Sequence, residues 1–360
     1  MAAPRVLVAG AGVVGLSCAY YLSTRGFRVE ILDAGAPPSP TTSASLGVLT
    51  HFNGGPDPYS ALYRDGHALY SGLAAQLREE TGADIGWRPL GGIDLAFSEG
   101  EEEELRQILR FNQERGCPAE WLEAPDLRRL EPRISPQARA GVYFSGDHRV
   151  DPVCLAQALL KAARQRGAQM RCGEPVEGFA QQGQGVRVQT RQGVRQAEFL
   201  VLAAGSWTGE LGRRCGAQIP VRPVRGQHCS FAGGGELHHV LRCAGLHLVP
   251  SGEQIIVGAT VEEAGFEIET TAEAAGQFGE FFSRVLDLPP VRRGARAGLR
   301  PKPKGGRPII GPLPGQDRVF AATGHYKNGI LLGPLTGQVL AEWLGTGRPP
   351  RNMSAFSVER

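Results

Sequence analysis

With 360 residues, of which 41% are hydrophobic and 21% charged, the chain has the make-up of a globular protein large enough for two lobes. A net charge of +3, with no concentrated basic tract and no aromatic residues interleaved with arginine, argues against nucleic acid as a partner. No apolar run approaches the roughly 20 residues of a membrane span, and "MAAPRVLVAG" lacks a signal-type order, so a cytoplasmic protein without a membrane partner is expected.

The first strand is expected over residues 5 to 9, nearly all apolar, as suits a parallel strand buried on both faces. It runs into Gly10-Ala11-Gly12-Val13-Val14-Gly15 and then a helix with Val14, Cys18, Tyr21 and Leu22 at helical spacing. Gly26 stops that helix, and a second apolar strand from Val29 to Leu32 ends on Asp33. Each part has a chemical reason. Gly10 permits the tight turn, Gly12 lets the backbone approach a pyrophosphate, and Gly15 allows close packing of helix on strand. The helix N-terminus offers free N–H groups to the anion, and Asp33 accepts from ribose hydroxyls. A glycine turn with no ligand is the bland alternative. Strand, helix, second strand and acid falling within one unit favour dinucleotide binding over it.

After Asp33 the chain enters "AGAPPSPTTSASLGVLTHFNGG", a long loop of small residues rather than the further repeats of a nicotinamide-dependent dehydrogenase. Such a loop suits an extended FAD. The strand Phe199 to Ala203 then delivers Ala204 and Gly205 to a point of close backbone approach, and no second GxGxxG provides a nicotinamide site. Electrons should therefore pass directly from an organic substrate to the flavin.

Further along, helices are expected at 58–81, 100–115, 152–167 and 271–287, with strand-like "GWRPLGGIDLAF" at 86–97. The acidic run "EGEEEELRQIL" reads as a solvated helix start favoured by the macrodipole. Short strands fill 168–203, residues 221–300 are strand-rich, and a helix closes the chain. Cofactor-type segments thus occupy both ends and the middle, and the active site should lie where the lobes meet. Seven cysteines are scattered with no CxxC pair, so they read as reduced, mostly buried fillers, and no metal site is expected.

The segments "VAGAGVVGLSCAYYL", "TSASLGVLT", "LVLAAGSW", "PVRGQ", "IIVGAT", "GLRPKPKGGRPIIGPLP" and "AATGHYKNGILLGPLTG" span the chain. In this order they resemble the D-amino-acid oxidase superfamily of FAD-dependent amine oxidases, and within it the glycine oxidase family of thiamine thiazole synthesis. The resemblance implies an α/β, two-lobed fold: a Rossmann-like FAD-binding domain interleaved with an antiparallel-sheet substrate domain. The former would take 1–85, 141–220 and 296–360, and the latter 86–140 and 221–295.

The implied reaction is oxidation of glycine, or of a small amine or D-amino acid, to an imine that water converts to a 2-oxo acid, with O2 reduced to H2O2. A D-amino-acid dehydrogenase using a quinone, or a silent flavoprotein serving in assembly, are the alternatives. The FAD would be noncovalent, since no cysteine lies in 244–360. A homo-oligomer is left open. Arg300, in "GLRP", falls on the family's substrate-carboxylate anchor, where a bidentate guanidinium fixes orientation as well as supplying energy. Beyond the glycine turn with Val13 and Val14, the cofactor contacts carried over are Asp33, Ala34, Ser43, Ser45, Gly47, Val48 and Leu49. Val176, Ala204, Gly205 and Trp207 continue them, and the last motif adds Gly324, His325, Lys327, Asn328, Gly329, Ile330 and Leu331.

Lys327 is one of only four lysines in the chain. At the start of the helix expected from Asn328 onward, it would set a positive charge beside the flavin's pyrimidine edge, where the helix terminus already favours an anion. Four positions depart from the family pattern. Lys327 stands in place of arginine, His247 in place of a substrate-contacting tyrosine, and Val48 and Val261 each in place of methionine. His247 is either a donor to the substrate carboxylate or a packing residue. These changes bear on the substrate pocket, which Val48, Val261, Arg300 and Lys327 would line.

Overall fold

A computed structural model describes residues 3–51 and 55–359. The opening unit forms because its residues suit it. Strand Arg5–Ala9 pairs in parallel with Arg28–Asp33 on one side and Phe199–Leu202 on the other, and Val6, Leu7 and Val8 are fully buried. The sheet extends to Gln169–Cys172 beyond Arg28–Asp33, and through Gln316–Thr323 to Ile309–Leu313 at the other edge. Only that last strand runs antiparallel in the six-stranded sheet. Helix Val13–Thr24 has no polar face, because helix Gly329–Thr346 and helix Pro152–Gln165 cover it. At Gly337 the two central helices come so close that a Cβ would lie 2.5 Å from the Ser17 backbone.

The second sheet has eight strands, in the order Arg292–Pro303, Val221–Ala232, Gln254–Gly258, Leu246–Ser251, Val240–Cys243, Gly92–Ala96, Ala140–Phe144 and Ala119–Glu123. It is antiparallel except where Val240–Cys243 runs parallel to Gly92–Ala96. These two strands come from separate stretches of the chain, so no hairpin dictates their direction. Helix Ala272–Val285 seals the outer face with Phe278, Phe281 and Phe282. Strand Ala140–Phe144 pairs on both sides within this sheet, so a division at 140/141 would cut a strand; the division at 295/296 would cut Arg292–Pro303.

Local signals explain most boundaries. Helix Pro58–Thr81 starts on Asp57, whose Oδ1 accepts from Tyr59 N–H at 2.9 Å, with Pro58 at the first turn, and stops at Gly82 with φ of 73°. Asp151 caps Pro152–Gln165 in the same way. Within the stretch expected as a strand at 86–97 only Gly92–Ala96 is one: Pro89 has no N–H to give a ladder, and Gly91 turns the chain at φ of 73°. The small-residue loop after Asp33 holds a short helix, Pro40–Ser43, and a strand, Val48–Leu49, paired with His148–Arg149. Residues 52–54 of that stretch lie outside the described residues. All seven cysteines are free thiols; Cys18, Cys117, Cys229 and Cys243 are buried and Cys172 is exposed.

Candidate active site

The C-terminal ends of the parallel strands open onto one cavity of about 650 Å³, within the roughly 300–1,000 Å³ of small-molecule sites. Its floor is the glycine turn. A Cβ at Gly10, where φ is 115°, would lie 2.3 Å from the Ala203 carbonyl oxygen, and one at Gly15 would lie 2.0 Å from the Gly10 carbonyl oxygen. Both glycines are required by backbone against backbone. Gly12 is different: its Cβ would meet only the hydroxyls of Ser39 at 3.0 Å and Thr42 at 3.4 Å. Its bareness keeps the cavity open rather than the fold closed. Asp33 ties this floor together, accepting from Ala11 N–H at 2.6 Å and Gly35 N–H at 2.8 Å. Thr42 Oγ1 accepts from Val13 N–H at 3.0 Å. Val14 and Gly15 remain as first-turn amides without an intrahelical acceptor.

The eight-stranded sheet roofs the other end of the cavity. Pairing sets Gly226 opposite Gly298 and Val224 opposite Arg300, so Gly298 and Arg300, two residues apart, share a face of their strand. The bare Gly226 leaves room, and the Arg300 side chain bends back over it: a Cβ at Gly226 would lie 2.3 Å from the guanidinium carbon, whereas one at Gly298 would meet Thr41 Cα at 2.8 Å. Arg300 Nη1 donates to the Thr260 carbonyl at 2.8 Å. Burial pulls the Arg300 pKa down, opposed by Tyr326 and Glu262. Glu262 is itself engaged by Arg225 and by Gln227. Among the described residues Arg300 forms no ion pair.

Lys327 stands in a short 3₁₀ turn, Tyr326–Asn328, just ahead of helix Gly329–Thr346. Burial, then the charges of Arg300 and Lys302, lower its pKa. His247 is half-buried, and burial pushes it down to about 4, with Arg242, Lys327 and Arg300 adding to the shift. It is a neutral imidazole at pH 7. Its row across the sheet runs from Arg242 through His247 to Gly258 and His228.

Of the residues singled out in sequence, Gly10, Gly12, Val13, Val14, Asp33, Ala34, Ser45 and Val176 line the cavity, as do Ala204, Gly205, Trp207, Arg300, His325, Lys327, Gly329 and Ile330. The others do not. Gly15 packs helix on turn, and Leu49 and Leu331 are core. Gly47 abuts the Val150 carbonyl and Gly324 abuts Pro303. Ser43 Oγ donates to the Pro38 carbonyl at 3.4 Å, and Asn328 Nδ2 donates to the Tyr59 hydroxyl at 2.6 Å. Val48 belongs to the two-stranded ribbon, Val261 is 52% exposed, and His247 stands off the cavity lining beside Arg242.

Sequence reading passed over Thr42, Gly226, Gly298 and Tyr326, which line the cavity, and Lys302, beside Tyr326. The Ser39-Pro40 pair, a helix-start signal, would have pointed to Thr42. Alternation along the strand holding Arg300 would have pointed to Gly298.

Comparison with known proteins decides the family. The family described as DAO, FAD dependent oxidoreductase, matches residues 5–343. The chain belongs to this FAD dependent oxidoreductase family. Among its relatives, the glycine oxidase of Geobacillus kaustophilus is 33% identical, over 99% of this chain and 96% of that protein. The crystal structure of glycine oxidase from the same organism superposes with a TM-score of 0.91 at 31% identity, covering 99% of both chains. The bifunctional protein ThiO/ThiG of Trichormus variabilis is 30% identical over 99% of this chain and 55% of its own length.

The cofactor of the oxidoreductase is FAD, and the residues present fit it. The cavity is lined from the glycine turn to Arg300, its floor is a bare-glycine turn at a helix N-terminus, and an acid closes one strand end. His325, which lines the cavity and is 2% exposed, bonds Thr336 Oγ1 through Nε2 at 2.9 Å and leaves Nδ1 without a partner among the described residues. Among the described residues no helix is long and apolar enough to cross a membrane.

Proposed function

We propose that the chain is an amino-acid oxidase acting on glycine or on a small amine or D-amino acid. The observation that carries this reading is the Arg300 guanidinium, half-buried above Gly226 and without an ion-pair partner among the described residues. FAD binding alone needs no such clamp. FAD, when bound, supplies the two-electron acceptor. Gly10, Gly12, Asp33, Thr42 and Ala204 would hold it, without a covalent bond.

Arg300 binds the substrate carboxylate and orients the amine-bearing carbon, the main contribution a protein can make to this chemistry. Lys327 adds positive field at the same end. Loss of the Cα hydrogen with its electron pair and of one N–H proton turns the amine into an imine. O2 takes the two electrons and two protons to give H2O2, and water converts the imine to the 2-oxo acid and ammonia. The same reading includes release of glycine imine for thiazole synthesis, supported by the likeness to ThiO/ThiG. It also includes a cytoplasmic setting, supported by seven free thiols, and the two-lobe division given above with its boundaries moved off the strands.

Oxygen uptake by purified protein across glycine, sarcosine, D-alanine and D-proline is the test, with peroxide measured in parallel. Flavin bleaching under anaerobic mixing with none of these amines would sink the reading. Bleaching without oxygen uptake would move it to a dehydrogenase.

A further inference from the structure

Cations collect at the Arg300 end of the cavity far beyond what one carboxylate needs. Tyr326 lines the cavity with a left-handed backbone, φ 51°, unusual for a side chain of that bulk. Two lysines stand close to its ring: Lys302 Nζ is 5.6 Å and Lys327 Nζ 5.7 Å from the ring centre. Lys302 follows Arg300 by two residues on one strand and so shares its face. Its cross-strand partner, Arg222, is held by Glu263. The other acid nearby, Glu262, is held by Arg225. Arg300, Lys302 and Lys327 are thus left together with no ion pair among the described residues. Like charges gathered without a counter-charge repel one another, and a bound anion relieves that repulsion.

Resting on the oxidase reading, we infer that the preferred substrate carries two carboxylates: an acidic D-amino acid with its α-carboxylate on Arg300 and its side-chain carboxylate on the lysines beside Tyr326. Lys302 then sets specificity rather than chemistry. Its ammonium is a mobile point charge on a long stem, suited to a carboxylate whose distance varies with side-chain length. The chemistry of the oxidised carbon is unchanged; the second carboxylate only binds.

The test compares kcat/KM for D-aspartate and D-glutamate with D-alanine and glycine, in wild type, Lys302→Met and Lys302→Arg holoenzyme. The wild type should favour an acidic substrate over D-alanine, and that ratio should fall about 10- to 100-fold in Lys302→Met, the scale of one charge-assisted bond. Lys302→Arg should keep most of it. Calorimetry gives a readout apart from turnover: glutarate should bind more tightly than butyrate, and the gap should close in Lys302→Met. Oxidation of glycine or D-alanine with no preference for the acids overturns this inference and leaves the oxidase reading standing. So does an acid preference unmoved by Lys302→Met, which takes the role from Lys302. Failure of every amine to reduce the bound flavin overturns both.

Discussion

Gly226 lies directly beneath the guanidinium of Arg300, and a methyl group there would sit 2.3 Å from its central carbon. The obstacle is the end of a flexible side chain, so the fold can absorb it and the anchor cannot. Gly226→Ala should leave stability and FAD content near wild type while lowering kcat/KM for carboxylate-bearing amines by about 10- to 100-fold, the effect of misplacing one charge-assisted pair. Arg300→Ala should do the same more severely. Kinetics on an amine without a carboxylate complete the check: equal losses there would remove Arg300 from substrate binding.

The first and second glycines of the turn should respond differently. At Gly10 an alanine must adopt φ of 115° and press on the Ala203 carbonyl at 2.3 Å, so Gly10→Ala should yield little folded protein. At Gly12 the neighbours are two hydroxyls that can turn away. Gly12→Ala should fold, with melting of the FAD-free protein close to wild type, yet bind FAD at least tenfold more weakly. Titration of both apoproteins with FAD separates the two, and a Gly12→Ala protein of full affinity would show that nothing approaches that backbone.

Asp33 holds the turn as well as facing the cavity, through Ala11 N–H at 2.6 Å and Gly35 N–H at 2.8 Å. Asp33→Ala strands both amides and should destabilise the FAD-free protein by roughly 1–3 kcal/mol, in addition to weakening FAD retention. Denaturant melts without cofactor measure the first effect alone. An unchanged midpoint would mean that the two amides find water at no loss.

Burial holds His148, His228 and His247 down to about 4, and His325 down to about 3. In the unfolded chain each returns to near 6.5. Between these values the unfolded state binds protons that the folded state refuses, so stability rises with pH. It should therefore be complete above about pH 6.5 and decline as pH falls toward 4. The melting temperature of the FAD-free protein, followed from pH 7.5 to 4.5, should drop progressively, with net proton uptake on unfolding over the same window. A flat profile over that window would contradict the burial of these imidazoles.

Much of the cofactor half was legible in the chain itself because its signals are local. Gly10, Gly12, Gly15 and Asp33 lie within one strand–helix–strand unit, where spacing alone brings them together, and the caps Asp57 and Asp151 act on the next turn of backbone. The family motifs likewise named Arg300 and Lys327 by their neighbours in sequence. What no local signal carries is which residues meet across the roof. Gly226 comes under Arg300 only because two strands some 70 positions apart pair in one register, and a shift of one residue would turn the guanidinium to the other face. Val261 and His247 show the converse: their motifs pointed to the pocket, yet pairing of the eight-stranded sheet left one half exposed and the other beside Arg242. The gathering of Lys302, Tyr326 and Lys327 is also a product of tertiary folding, since it brings strand Arg292–Pro303 against the turn Tyr326–Asn328, more than 20 residues further along the chain. Composition counted those cations; long-range folding set them side by side without an acid between them.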